Sequence, residues 1–350
     1  MLIEGTNGIL YGITYLGGAH GLGTVFELTL SGKFTSLYNF TGGADGGSPA
    51  DALIQGSNGL FYGTTSTGGA NGNGTVFSMT PAGKITTLYS FCAVSGCTDS
   101  GYSYGRLVQA TDGNLYGTTF VGGANNGGSV FRITPAGKFT RLYSFCSKVS
   151  NKVCTDGESP YEGLTQATNG VLYGTTYAGG TANEGTIFSV SAGLKPFVHA
   201  VVGSGKVGAN VTLLGTDLTG ATAVNFNGTP STITKVTTTW LTTTVPSGSS
   251  TGTITVTTPG GVLSSNTKYR VTPQITGFSP PSGPVGTLVK ITGVSLSTAS
   301  HATLGGIAAT LTVVSDTEVD ATVPTGSTTG KIDVTTTGGT AVSATSFTVN

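Results

Sequence analysis

The chain is short of charge. Of its 350 residues only 15 are Lys or Arg and 15 are Asp or Glu, for a formal net charge of +0. No segment gathers enough cations to neutralise several phosphates, which excludes nucleic acid as a partner. Histidine is scarce: His20, His199 and His301 lie in separate segments with no shared motif. There is no His-Glu-x-x-His, no Gly-x-Ser-x-Gly, and no phosphate-binding glycine loop followed by Lys-Ser/Thr. No cofactor is therefore expected, and no catalytic residue stands out. Glu158 and Glu162, flanking Tyr161, are the best carboxylate pair on offer, and a solvated loop explains them. No apolar run approaches a membrane span, and no long stretch carries the 3.6-residue apolar period of a helix. The first residues, MLIEGTNGILYG, lack the basic and apolar regions of a signal peptide. They align instead with ALIQGSNGLFYG at 52–63, so the chain is expected to begin inside a first strand, with a leader and further repeats upstream of Met1.

What is abundant is glycine, with 58 residues, together with Thr, Ser, Val and Tyr. Thr, Val and Tyr suit a pleated, half-buried surface, and Gly punctuates turns. With 37% hydrophobic residues in short regular runs, the chain can bury a core, and disorder is rejected. The expected class is all-β. A Tyr-Gly pair recurs at Tyr11, Tyr62, Tyr116 and Tyr173, spaced 51, 54 and 57 residues apart. A period near fifty with strand-like content is read as propeller blades. The third unit shows four strand segments: GRLVQA (105–110), NLYGTTF (114–120), SVFRIT (129–134) and KFTRLYSF (138–145). Asp-Gly, Asn-Gly and Pro-x-Gly turns separate them. Tyr-Gly itself reads as scaffold, the glycine admitting a close neighbour.

Strand parity places the Gly/Asn loops and the long inter-blade connections at one end of each blade. Variable loops on a rigid scaffold are where binding concentrates. The candidate binding face therefore carries Asn71, Asn73, Tyr102, Tyr104, Asn125, Asn126 and Tyr161. Each Asn also has a plain reading as a left-handed turn residue. Exposed tyrosine rings suit sugars or protein partners. Asp45, Asp99 and Asp156 each precede a strand Leu by eight residues. They read as Asx-type turn residues, because the spacing of a calcium loop is missing.

Cys92 and Cys97, then Cys146 and Cys154, lie in matching connections. Sequence allows three pairings, and closure within each connection is the simplest. A four-Cys zinc site is the alternative, although C-x4-C and C-x7-C are not its usual spacings. Disulfides would imply an oxidising compartment and an extracellular or cell-surface location.

The repeated GNLYGTT…GGA…GTVF…TPAGK…LYSF pattern resembles the GloVer tandem repeats of bacterial exported proteins. That resemblance covers about residues 1–195 and implies a partial or four-bladed β-propeller of four-stranded blades. The last unit departs from it, since LKPFVHAV replaces the expected final strand. From 196 on, Tyr nearly disappears and two segments of about 75 residues repeat each other. ITGFSPPSGPVGTLVKITG (275–293), FNG matched by LGG, and TVPSGSSTGTITVTTPGG matched by TVPTGSTTGKIDVTTTGG resemble IPT/TIG domains. The resemblance implies two immunoglobulin-like β-sandwiches, placed at 196–272 and 273–350. In the second, Val319, Ala321 and Val323 are expected to face one side and Glu318, Asp320 and Thr322 the other. Trp240, the only Trp, is a candidate exposed aromatic, either a sugar platform or a domain contact. The function expected is adhesion or recognition without catalysis. Propeller loops would bind an extracellular glycan or surface protein, with the IPT/TIG domains as spacers. The alternative is an accessory part of a secreted carbohydrate-active or other hydrolytic enzyme.

Overall fold

Each fifty-residue unit folds as its turns dictate. In the third unit Gly113 closes the first hairpin at φ 79°, donating its N–H to the Ala110 carbonyl at 2.9 Å. A side chain is strained at that angle, so glycine is required there. A computed structural model describes all residues, 1–350. It divides into two units, Met1–Lys195 and Pro196–Asn350.

The first unit holds four larger antiparallel sheets, here blades 1 to 4, with strands in sequence order, and a two-stranded hairpin, Val149–Ser150 with Val153–Cys154, in the connection before blade 4. Blade 1 comprises Leu2–Glu4, Leu10–Thr14, Thr24–Leu28 and Phe34–Asn39. Blade 2 comprises Gly47–Gln55, Phe61–Thr67, Thr75–Met79 and Ile85–Ser90. Blade 3 comprises Val108–Gln109, Leu115–Thr119, Ser129–Ile133 and Phe139–Ser144. Blade 4 has only Thr165–Gln166, Leu172–Thr176 and Thr186–Val190. The departure expected in the last unit, where LKPFVHAV replaces the final strand, takes this form. His199–Ala200 pairs with Asn210–Leu214 in the second unit, so the segment that would complete blade 4 is used elsewhere.

Blades pack face to face. Tyr11, Val25 and Phe40 of blade 1 form one core with Leu53, Phe61, Phe77 and Met79 of blade 2. Tyr62, Val76 and Phe91 repeat that pattern against Leu107, Leu115, Phe131 and Ile133. Tyr116, Val130 and Phe145 repeat it against Leu164 and Leu172. Opposite Val25/Phe26, Val76/Phe77 and Val130/Phe131 the register shifts by one, so the fourth strand bulges at one place in three blades, at Leu37, Leu88 and Leu142. A bulge re-aims the side chain it carries, and here each extra Leu packs against the core beside its blade.

The second unit contains two sandwiches. In the first, one sheet orders 199–200, 210–214, 240–244 and 233–236, and the other 229–231, 223–226, 254–258 and 261–264. Val211, Leu213, Phe226, Leu241, Ile254 and Val256 fill its core. In the second, the long strand Ile307–Ser315 pairs with His301–Leu304 at one end and Glu318–Thr322 at the other, linking both sheets. Val319, Ala321 and Val323 are buried, with Glu318, Asp320 and Thr322 alternating on the other face.

Candidate binding face

The inter-blade connections lie along the Gly/Asn loops. Gly69 donates its N–H to Gly43, Gly123 to Cys97 and Gly180 to Cys154. Disulfides join Cys92 to Cys97 and Cys146 to Cys154, each within one connection. They tie off the two longer connections and leave no free thiol.

The matched aspartates organise these loops. Asp45 accepts from the Tyr38 hydroxyl at 3.1 Å, the Thr41 N–H at 2.8 Å and the Thr41 hydroxyl. Asp99 accepts from the Tyr89 hydroxyl at 2.6 Å and the Ala93 N–H at 2.9 Å. Asp156 accepts from the Tyr143 hydroxyl at 2.7 Å, and from the N–H groups of Ser147 at 2.9 Å and Lys148 at 3.1 Å. Burial pushes Asp45 and Asp156 upward, but the hydrogen bonds outweigh it and hold both below the ordinary value of 3.8. The partner hydroxyls of Tyr38 and Tyr89 move the other way, raised by burial and then by the adjacent carboxylate. These carboxylates are spent on the loop backbone. No group of three or more His, Cys, Asp or Glu is placed to hold a metal ion.

The asparagines are tied in the same manner. The Asn71 side-chain amide donates to the Phe91 carbonyl at 3.0 Å, and Asn125 donates to the Phe145 carbonyl at 3.3 Å. Asn73 donates to the Asn71 carbonyl at 2.8 Å, and its own carbonyl accepts the Tyr102 N–H at 3.1 Å. Asn126 sits at φ 58° and accepts the Gly122 N–H at 3.1 Å. Asn71 and Asn125 thus fix the loop to the end of the blade's last strand, and the Asn73 and Asn126 side chains brace the loop itself.

The tyrosines are arranged differently. Tyr104 and Tyr161 stack with ring centroids 5.1 Å apart and planes 15° from parallel. Phe120 stands edge-on to both, at 5.6 Å from Tyr104 and 6.0 Å from Tyr161. Tyr161 is 49% exposed and Tyr104 and Phe120 are half-buried, so the cluster is anchored inside and open outside. Tyr102 and Tyr15 lie close by: burial raises the Tyr104 hydroxyl first, and Tyr15, Tyr161 and Tyr102 add to the rise. Phe120 and Tyr15 were not among the residues expected from sequence. The signal was in the register, since each stands four residues after its anchor tyrosine, Tyr116 and Tyr11. Beyond Tyr161 an open cavity of about 660 Å3 is lined by Glu162, Thr176, Tyr177, Asn183 and Glu184. Trp240 stands apart in the second unit. It is half-buried, and the Lys235 ammonium lies 4.8 Å from its ring centre.

Repeated antiparallel blades with a loop-rich end, followed by immunoglobulin-like sandwiches, define an all-β propeller-repeat protein. The chain belongs to the Gloeobacter/Verrucomicrobia repeat family, whose pattern matches residues 1–188, and it carries two IPT/TIG domains at 196–271 and 273–349. No curated protein matches its sequence. Among solved structures it is similar to a surface glycan-binding protein of Prevotella bryantii, at 17% identity and a TM-score of 0.31, covering 43% of this chain and 41% of that one. A xyloglucan-locus counterpart from Bacteroides uniformis gives 18% identity and a TM-score of 0.22, over 43% of this chain and 48% of that one. A copper-bound fungal alcohol oxidase gives 11% and 0.35, over 99% of this chain and 96% of that one. The chain thus spans less than half of either glycan-binding protein. Binding proteins and an enzyme both appear, so the likeness says nothing about activity. No helix is long and apolar enough to cross a membrane.

Proposed function

We propose that the chain is a non-catalytic, exported surface protein that binds glycan through the tyrosine-rich end of its blades, with the IPT/TIG domains as spacers. The observation that carries this reading is the Tyr104–Tyr161 stack buttressed by Phe120. Rings held in place by packing present an apolar face at little entropic cost, and the exposed hydroxyl edges offer hydrogen bonds. That combination suits the alternating C–H and O–H surfaces of a sugar ring. Glu162 and Glu184, which line the cavity beyond Tyr161, supply further polar partners. The two disulfides fit an oxidising, extracellular setting.

A polysaccharide panel tests the proposal, with affinities then measured by calorimetry. Tyr104→Ala and Tyr161→Ala should each weaken binding about tenfold or more, as truncation of a central anchor does. Trp240→Ala should leave binding unchanged. Absence of binding to every polysaccharide, or binding that survives loss of both tyrosines, would sink the proposal.

A further inference from the structure

The same two register positions recur at each junction between blades. One stands four residues after an anchor tyrosine, and the other three residues before the buried strand leucine of the next blade. The first junction pairs Tyr15 with Ala50, the second Ser66 with Tyr104, and the third Phe120 with Tyr161. Contacts run on from one junction to the next. The Tyr15 hydroxyl of blade 1 lies 3.5 Å from the Ser66 hydroxyl of blade 2. Burial raises the Tyr104 hydroxyl, and Tyr15 is near enough to add to the rise. Tyr104 in turn stacks on Tyr161. Ala50 and Ser66 are small and buried, so at these positions blade 2 adds no bulk to the row. Beside Tyr104, Tyr102 holds φ 46°, where its equivalents Ser48 and Ser159 hold 50° and 54°. A bulky side chain is costly in that region, and strain of this kind gathers at ligand sites. None of the six paired residues is charged.

We infer that Tyr15 is a second stacking subsite, continuous with Tyr104 and Tyr161, and that the row takes an internal stretch of a linear, uncharged polysaccharide. The inference deepens the glycan-binding reading and rests on it. Tyr15 is 50% exposed, open in the same way as Tyr161. The row crosses several blades rather than closing around one sugar, which suits a stretch of chain over a chain end. A ligand held at one subsite meets the other at high effective concentration, so affinity grows with length until the row is filled. With no cation at these positions, a uronate would lose solvation without gaining a partner.

Calorimetry of the full chain tests the subsite, with neutral β-glucan, xylan and mannan oligosaccharides from disaccharide to octasaccharide. For at least one series, affinity should rise with length and then level off. Tyr15→Ala should weaken the longest member about tenfold and leave the shortest member that binds unchanged, whereas Tyr161→Ala should weaken both. Tyr15→Phe keeps the ring and should keep the affinity. Reduction of the end sugar should change nothing for the longest member. Affinity independent of length overturns the inference. So does a longest member indifferent to Tyr15→Ala, or one that is lost when its end is reduced. Binding confined to charged polysaccharides would overturn this inference and leave glycan binding standing; binding to no polysaccharide would remove both.

Discussion

At the scale of single residues, the Tyr-Gly anchor is explained by what surrounds it. A Cβ on Gly117 would lie 2.6 Å from the Phe131 ring and 2.8 Å from Leu107, and Gly12, Gly63 and Gly174 meet their own Phe as closely. Gly117 does not occupy the left-handed region, so the constraint is steric. Gly117→Ala overpacks a fully buried site and should cost about 1–3 kcal/mol in denaturant unfolding. Gly203→Ala, where nothing lies within 4 Å, should stay within about 0.5 kcal/mol. The tyrosine is held from its other end. Asn7 and Asn58 donate to the hydroxyls of Tyr11 and Tyr62 at 2.9 and 2.8 Å, and Tyr116 donates to Asp112 at 2.9 Å. Burial and the Asp112 carboxylate push Tyr116 up to about 12. A raised folded value means that this contribution to stability is whole below the ordinary tyrosine value of 10 and is lost as pH rises through the folded one. Tyrosinate absorbance should therefore show Tyr116 among the phenols that ionise late, and Tyr116→Phe should take one phenol out of that late component; an unchanged titration would contradict the assignment. The repeated Tyr-Gly was plain in the sequence. Its partners were not, because Asn7 and Asp112 read as turn residues until the hairpin folds them under the ring.

At the scale of elements, the connections are the most legible part and also the part most reinterpreted. The matched Asp positions and the Cys pairs were visible as spacings, and the strand parity that put them at one end follows from short antiparallel strands. The side-chain arrangement was less visible. The Asn residues of the Gly/Asn loops are bonded into the blade, whereas Tyr104 and Tyr161 meet although 57 residues apart in sequence. Both lie twelve residues before an anchor tyrosine, so their shared register was readable, but stacking depends on the angle between neighbouring blades. Asp156 gives these loops an acid sensitivity. Its folded value lies below 3.8, so its contribution is present above that pH and fades as pH falls through the lower folded value. Asp156→Asn should lower the melting temperature at neutral pH and flatten its dependence on pH between the ordinary Asp value and strong acid. A variant with the same acid profile as wild type would place the sensitivity elsewhere. Reduction should act on the same loops. Each short disulfide restrains the unfolded chain by roughly 2 kcal/mol. Reduced protein should therefore melt a few degrees lower yet keep its far-ultraviolet dichroism, since the blade cores contain neither Cys92 nor Cys146.

At the scale of the whole molecule, a repeat array draws stability from its junctions, so a unit with one neighbour should be looser than a unit with two. This chain contains an internal control for that argument. Leu115–Thr119 in blade 3 and Leu172–Thr176 in blade 4 are the same pentapeptide, LYGTT. Chemically identical segments share nearly the same intrinsic amide exchange, so any difference between them reports on surroundings alone. All five residues are buried in blade 3, whereas in blade 4 burial alternates with exposure on the uncovered face. The blade 3 strand also has a longer sheet around it, since blade 4 lacks the outermost strand. Local opening of a strand costs the contacts it breaks, and those are fewer in blade 4. Hydrogen exchange should protect Leu115–Thr119 more strongly than Leu172–Thr176, by a factor of about ten for each ~1.4 kcal/mol of junction energy. Equal protection of the two copies would mean that the junctions add little, and that each blade is stabilised chiefly by its own hairpins.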